Sequence, residues 1–377
     1  MKQSFSTLQS AQPRYDILDG LRGVAAMLVI WYHFFEGFAT SPTDQMMNHG
    51  YLAVDFFFVL SGFVIGYAYD KRWQSGNMTA GRFMLRRVIR LHPMVVLSVV
   101  LGAVAYLLQG SVKWDGTPVS LSMVVLALCM GLLLIPVLPG AGAEVRGNGE
   151  MFPLNGPSWS LFYEYIGSIL YAFVLHRLGR KSLGAVVAIS AVGLAACAIS
   201  NMSGAYHLGV GWSMADGGWI GGFFRLSFSF GIGLLMQRGF KARHIRGAFW
   251  KCSALIAVVM ACPYVGGQEP SVYNAIYDLA CTLLLFPAIV YIGACGTTTD
   301  RFSTTVCETM GQLSYPVYII HYPVMYMFYA WVWANGLSFG QVWPVCAGLF
   351  VMIALMAWGA LKLYDEPVRR WLTNKLR

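Results

Sequence analysis

Apolar residues gather into eleven stretches along the chain, near 21–39, 51–69, 93–109, 119–138, 158–176, 183–200, 218–236, 251–265, 274–294, 312–333 and 342–363. Each approaches the roughly 20 residues that a helix needs to cross the hydrocarbon of a bilayer. The polar connections are short, with no soluble domain, long linker or obvious repeat. The pattern predicts an all-α fold, a polytopic helical membrane bundle. Residues 1–377 form one membrane domain, with a short N-terminal segment (1–18) and a short tail (365–377).

Lys and Arg orient the bundle. They concentrate in 70–92, 177–182, 238–251 and the tail, and are missing from 40–50, 201–217, 266–273 and 334–341. Short basic loops stay on the cytoplasmic side, which puts both termini there. Strict alternation over eleven crossings would put 177–182 and the C-terminus outside. The parity is restored if one of the segments 93–109 and 119–138 is re-entrant, giving ten spans with 139–156 outside.

Composition strengthens this reading. The chain is 57% hydrophobic and 11% charged, against about 25% charged in soluble domains. The 12 Trp, 20 Tyr and 23 Phe suit membrane interfaces. The net charge of +9 is spread over short inter-segment runs, which argues against a nucleic-acid partner. The eight cysteines are single and mostly apolar in context, so neither a disulfide framework nor a metal site is indicated. The polar N-terminus does not read as a cleaved signal peptide, and the first apolar segment is taken as a retained span.

Ionisable groups inside spans need a reason to be there. In LDGLRGVAAMLVIWYHFFEGF, Arg22 and His33 share a helix face about 16.5 Å apart along the axis, with Glu36 one turn beyond His33. The alternative is an interfacial Arg and a satisfied interhelical His. Asp55 lies one turn inside the second segment, as a site carboxylate or a structural cap. Ser61-Gly62 provides a small face for helix contact. In RFMLRRVIRLHP, Arg82, Arg86 and Arg90 recur every four residues, with Arg87 one turn before Arg90. This is a topology anchor or, through bidentate guanidinium forks, a phosphate clamp. NGPSWSLFYEY suits a helix start at Pro157-Ser158, with Trp159, Ser160 and the buried Glu164 following. His321 is mid-span between Pro316 and Pro323, while Arg225 and Asp278 read as structural partners. The topology sorts His33, Glu36, Asp55 and Glu164 to the outer half, and Arg22 and the arginine run to the inner edge. A donor with a phosphorylated head and a thin reactive arm, such as a coenzyme A thioester, has the matching shape.

At these residues, from about Asp19 to Pro367, the chain resembles the acyltransferase-3 family of multi-span acyltransferases of bacterial surface glycans. The resemblance rests on Arg22/His33, DFFFVLSGF, Arg87/Arg90, the SWSL segment ending at Glu164, SYPVYIIH and the terminal YDEPVRRWL, in that order. It implies an acyl-CoA co-substrate, usually acetyl-CoA, with no permanently bound cofactor. It also implies an essential His33, arginines serving the donor, and residence in the inner (plasma) membrane. The family often has a second Glu after the first. Tyr165 stands there instead, so a carboxylate pair is in doubt. The resemblance leaves the acceptor open among O-antigens, exopolysaccharides, peptidoglycan, periplasmic glucans, small lipids and macrolides.

The expected activity is O-acyl transfer to a hydroxyl of a lipid-linked or surface carbohydrate. His33 acts either as general base or as a transient acetyl carrier, and Glu36 or Glu164 balances its charge. Expected partners are acyl-CoA, the glycan acceptor and membrane lipid; the oligomeric state stays open. The rival classes are a transporter or flippase using the buried charges as a substrate or proton site, and a structural subunit of a surface-polymer complex.

Overall fold

The structure is a computed structural model that describes residues 15–376. Most of the expected N-terminal segment 1–18, and Arg377 of the tail, lie outside the described residues. Where the backbone has no water to bond, helices satisfy every amide internally, and helices account for all eleven apolar stretches. In chain order they are α1 (Asp16–Glu36), α2 (Ala53–Gln74), α3 (Ala80–Leu108), α4 (Leu121–Leu132), α5 (Ser158–Phe173), α6 (Arg180–Ile199), α7 (Gly218–Arg238) and α8 (Ala248–Ala261). They continue with α9 (Val272–Ala280), α10 (Phe286–Cys295), α11 (Arg301–Asn335), α12 (Phe339–Ala360) and α13 (Glu366–Lys375). A π turn at Cys281–Leu285 joins α9 to α10, and another at Leu361–Asp365 joins α12 to α13. The thirteen pieces therefore make eleven rods. The tail is not a loose extension but the end of the last rod.

Seven of these rods are long and apolar enough to cross a membrane by length and composition, and α4 and α8 are shorter apolar helices. The molecule is a multi-pass membrane protein. Its outward faces are apolar, with Ile189 and Val192 on α6 and Val351, Leu355 and Trp358 on α12 all exposed.

α1 runs through the centre, packed along α11. Gly20 faces Cys307 and Gly23 faces the Met310 backbone so closely that a Cβ at Gly23 would collide. The same device joins α2 to α7, where Gly62 meets the Phe230 carbonyl and Gly233 meets the Val59 carbonyl. The small face expected at Ser61-Gly62 is this contact. Small residues let backbones approach where lipid offers no hydrophobic drive for association.

Two expectations are corrected. The third rod starts at Ala80 rather than near 93, because the Thr79 side chain caps it by accepting from the Arg82 amide. The arginine run thus rides on α3 instead of a loop, and Pro93 lies inside the helix. The eleventh-stretch neighbour, expected over 312–333, is one continuous helix from Arg301, capped by Asp300, through Pro316 and Pro323.

The structure also bears on the parity of the fourth stretch. α4 has only 12 residues, about 18 Å at 1.5 Å per residue against a core of about 30 Å. The chain around it returns to where it left. Tyr106 donates to the Val145 carbonyl (2.6 Å), Trp114 N–H to Arg146 O (3.0 Å) and Val137 N–H to Met151 O (2.9 Å). The α3 exit and the chain leading towards α5 therefore lie side by side, and the short length and returning path of 119–138 single it out as the candidate for the stretch that does not cross.

Candidate functional site

Two cavities open at opposite ends of the bundle. The first, of about 480 Å³, lies at the end bearing the basic connections; the second, of about 430 Å³, lies at the other. Val54 of α2 and Tyr318 of α11 line both. Between the cavities the Tyr318 hydroxyl is bonded to Ser160 Oγ (2.8 Å) and its ring meets the edge of Phe57.

The basic-end cavity is built from α1, α2, α3, α5 and α11. Arg22 reaches in from α1, with Nε donating to Ser314 Oγ (2.9 Å) and Nη2 to Asp19 Oδ1 (2.9 Å). Arg87 and Arg90 come from successive turns of α3. Arg87 donates to Ser168 Oγ (3.1 Å) and forms an ion pair with Glu164 of α5, whose Oε1 also accepts from Ser61 (2.6 Å). Arg90 has no hydrogen-bond or ion-pair partner among the described residues, and lines the cavity. Three guanidinium groups against Asp19 and Glu164 leave the cavity electropositive. Planar forks of this kind suit phosphate.

Arg86 is turned away. It is exposed on the other face of α3 and does not line the cavity. Glu164 is also displaced from its expected half. Asn155 bonds Ser98 Oγ and the Ile319 carbonyl, and Gly156 packs on the Tyr322 ring, so the strand of chain before α5 is sunk into the bundle. α5 consequently starts deep, and its Glu164 sits beside Arg87 in the basic-end cavity.

The opposite cavity holds His33 and Glu36. His33 Nδ1 lies 2.7 Å from Glu36 Oε2. An ionised carboxylate only accepts, so Nδ1 carries the proton, and in the neutral imidazole Nε2 is then the bare nitrogen. No described residue bonds Nε2. Tyr329 fixes the pair from α11, its hydroxyl 2.9 Å from Glu36 Oε2 and 2.7 Å from the His33 carbonyl. His321 stacks on the His33 ring at 5.2 Å, and Tyr322 meets it edge-on at 4.8 Å. His321 itself is fully buried. Its Nδ1 donates to Val317 O, and its Nε2 has no partner. It is a wall behind His33 rather than a lining group.

Asp55 is committed elsewhere. It forms a buried ion pair with Arg225, whose guanidinium also donates to Val210 O (2.7 Å) and Tyr51 O (2.8 Å). Asp55 lines neither cavity, and its expected place beside the reacting groups is taken by its partner Arg225, which lies against the Trp159 ring at the cavity wall. Asp278 accepts from Tyr51 and from the Leu208 amide, holding the 201–217 connection. Ser158 is buried with no partner for its hydroxyl, and Ser160 is tied to Pro157 O and Tyr318.

Two groups escaped sequence reasoning. Glu150, in the irregular chain after α4, lines the opposite cavity. It accepts from Tyr326 and from Asn148 (2.9 Å), and burial pushes its carboxyl up to about 7. Buried Arg146 lies over the Tyr326 ring, 3.7 Å from its centre. No spacing signal marks an irregular segment. The second omission was readable: Tyr315, Tyr318, Tyr322, Tyr326, Tyr329 and Trp333 recur every three or four residues on α11 and form one aromatic stripe along both cavities.

A family model described as an acyltransferase domain matches residues 15–361. The chain is 38% identical over 191 residues to a Rhizobium radiobacter protein named as the second protein of the picA locus, covering 49% of this chain and 94% of that one. It is 36% identical over 94 residues to a Staphylococcus aureus protein provisionally named an O-acetyltransferase, covering 24% of this chain and 14% of that one. No solved structure matches significantly.

Proposed function

Because the chain belongs to the acyltransferase-3 family, we propose that it transfers an acyl group, acetyl above all, from acyl-CoA to a hydroxyl of a cell-surface or lipid-linked carbohydrate. The observation that supports this best is the pairing of the two cavities along α1. An arginine-lined cavity at one end suits the phosphates of the donor. A carboxylate-oriented histidine with a free Nε2 stands in the cavity at the other end. The donor's thin arm runs past Val54 and Tyr318 to bring its thioester to His33.

The acceptor hydroxyl approaches Nε2, which takes its proton as the oxygen attacks the thioester carbonyl. Glu36 stabilises the imidazolium, as a negative charge beside the ring favours the protonated form. The tetrahedral intermediate collapses, the C–S bond breaks, and His33 returns the proton to the leaving thiolate. In this reading the basic end is cytoplasmic, in the inner membrane, and the glycan meets the opposite cavity from outside.

The test is release of free CoA thiol from acetyl-CoA by membranes containing the protein. Release that depends on added glycan acceptor and is lost in His33→Gln is the expected result. The Gln variant keeps size and hydrogen bonding but cannot take the proton, and a general base contributes ~10²–10⁴-fold. Glycan translocation with no thiol release would instead make the protein a flippase. Near-normal turnover in His33→Gln would remove His33 from the chemistry.

A further inference from the structure

Charge develops at two places when a hydroxyl attacks a thioester. The base takes the proton of the attacking oxygen, and the carbonyl oxygen gains the negative charge of the tetrahedral intermediate. That oxyanion is stabilised best by a hydrogen-bond donor that is held in place beforehand and has no partner in the protein. Most donors around His33 fail the second condition. Tyr329 donates towards the His33 carbonyl and Glu36, Tyr326 to Glu150, and Trp333 to Gly37 O. Ser160 donates to Pro157 O, so the Tyr318 hydroxyl is the donor in its contact with Ser160. Arg225 is held by Asp55 and two carbonyls.

Tyr322 meets both conditions. Its hydroxyl bonds no described residue, although the residue is only 8% exposed and lines the cavity. The charges of Glu36 on α1 and Glu150 beyond α4 both reach that hydroxyl, so it faces the chamber between them. The ring is fixed on three sides. It meets His33 edge-on at 4.8 Å and Tyr326 edge-on at 4.6 Å, and it lies against Gly156, where an added Cβ would come within 2.6 Å of it. Tyr322 also stands one helical turn beyond Tyr318, the α11 residue shared by the two cavities. An acyl arm that passes Tyr318 reaches Tyr322 next.

We propose that Tyr322 is a catalytic residue whose hydroxyl donates to the thioester carbonyl oxygen and stabilises the oxyanion formed there. This rests on the acyltransferase reading and supplies the second half of its chemistry. As the acceptor oxygen bonds to the carbonyl carbon, the C=O π pair moves onto oxygen and strengthens the hydrogen bond from Tyr322. No proton leaves the tyrosine. The pair returns to re-form C=O as the C–S bond breaks, and the proton held by His33 goes to the sulfur.

The test measures acceptor-dependent release of CoA thiol by the full chain in nanodiscs and compares Tyr322→Phe, which keeps the ring and its packing but removes the donor. Its kcat should fall by roughly 10²–10³-fold, the effect of removing one oxyanion donor. The KM values for donor and acceptor should hold, and so should the acid limb of the kcat pH profile, which reports His33. Tyr32 is the other tyrosine ring edge-on to His33 at 4.8 Å, with Gln45 at its hydroxyl, and Tyr32→Phe should leave kcat within a few-fold. The proposal is overturned if kcat survives in Tyr322→Phe, if the loss falls on the acceptor KM instead, if the acid limb moves, or if Tyr32→Phe loses as much. Wild-type protein that releases no thiol sinks the acyltransferase reading itself, whereas release that is indifferent to Tyr322→Phe sinks this proposal alone.

Discussion

A glutamine at position 36 would present an amide that can donate to His33 Nδ1, which Glu36 cannot do. The imidazole would then carry its proton on Nε2, the nitrogen that the proposed reaction needs bare. Glu36→Gln should lower kcat by roughly 10²-fold or more, leaving the donor KM unchanged, since the loss falls on the proton transfer and not on donor binding. Steady-state kinetics of the reconstituted protein check this. A kcat within a few-fold of the wild type would mean that the 2.7 Å contact has no part in the chemistry. The His33–Glu36 pair was legible in the sequence because one helical turn separates the two residues. The two readings of Asp55, site carboxylate or structural group, could not be separated there, because a sequence shows that a carboxylate is buried but not that a guanidinium 170 positions away is bonded to it.

At the scale of elements, α3 sorts its own arginines. Arg87→Ala and Arg90→Ala should each raise the KM for acetyl-CoA by roughly tenfold, the worth of a charge-assisted contact, while Lys in either place keeps part of the effect. Arg86→Ala, on the exposed face, should leave that KM alone. Equal effects at all three positions would mean that the run acts through bulk charge and not through the cavity. Arg87→Ala should also destabilise the fold, because it strands the Glu164 carboxylate. The existence of eleven rods could be read from hydropathy, but not their lengths. α3 extends through an arginine-rich stretch that hydropathy rejects, and α4 stops at Leu132 inside a stretch that hydropathy accepts. A helix this short is expected not to cross, so reporters placed within 113–118 and within 139–149 should fall on the same side of the membrane. Opposite sides would restore an eleventh crossing and break the agreement between the basic loops and the chain's parity.

The whole molecule is a pair of cavities of opposite character set end to end, with α1 and the aromatic stripe of α11 running along both. Hydrophobic pattern and charge bias foretold the separation of arginines from His33, since eleven residues of one helix hold Arg22 and His33 apart. They could not foretell that Glu164 joins the arginine end. That depends on how far Asn155 and Gly156 sink the start of α5, which is set by contacts with α3 and α11 rather than by α5 itself. The central claim is that donor and acceptor meet at His33 from opposite faces of the bilayer. Proteoliposomes of uniform orientation, with labelled acetyl-CoA supplied only to the face bearing the basic loops and glycan only to the other, test it most directly. The account predicts labelled glycan in this arrangement and none when the two compartments are exchanged. Label appearing only when both substrates share one face would contradict it.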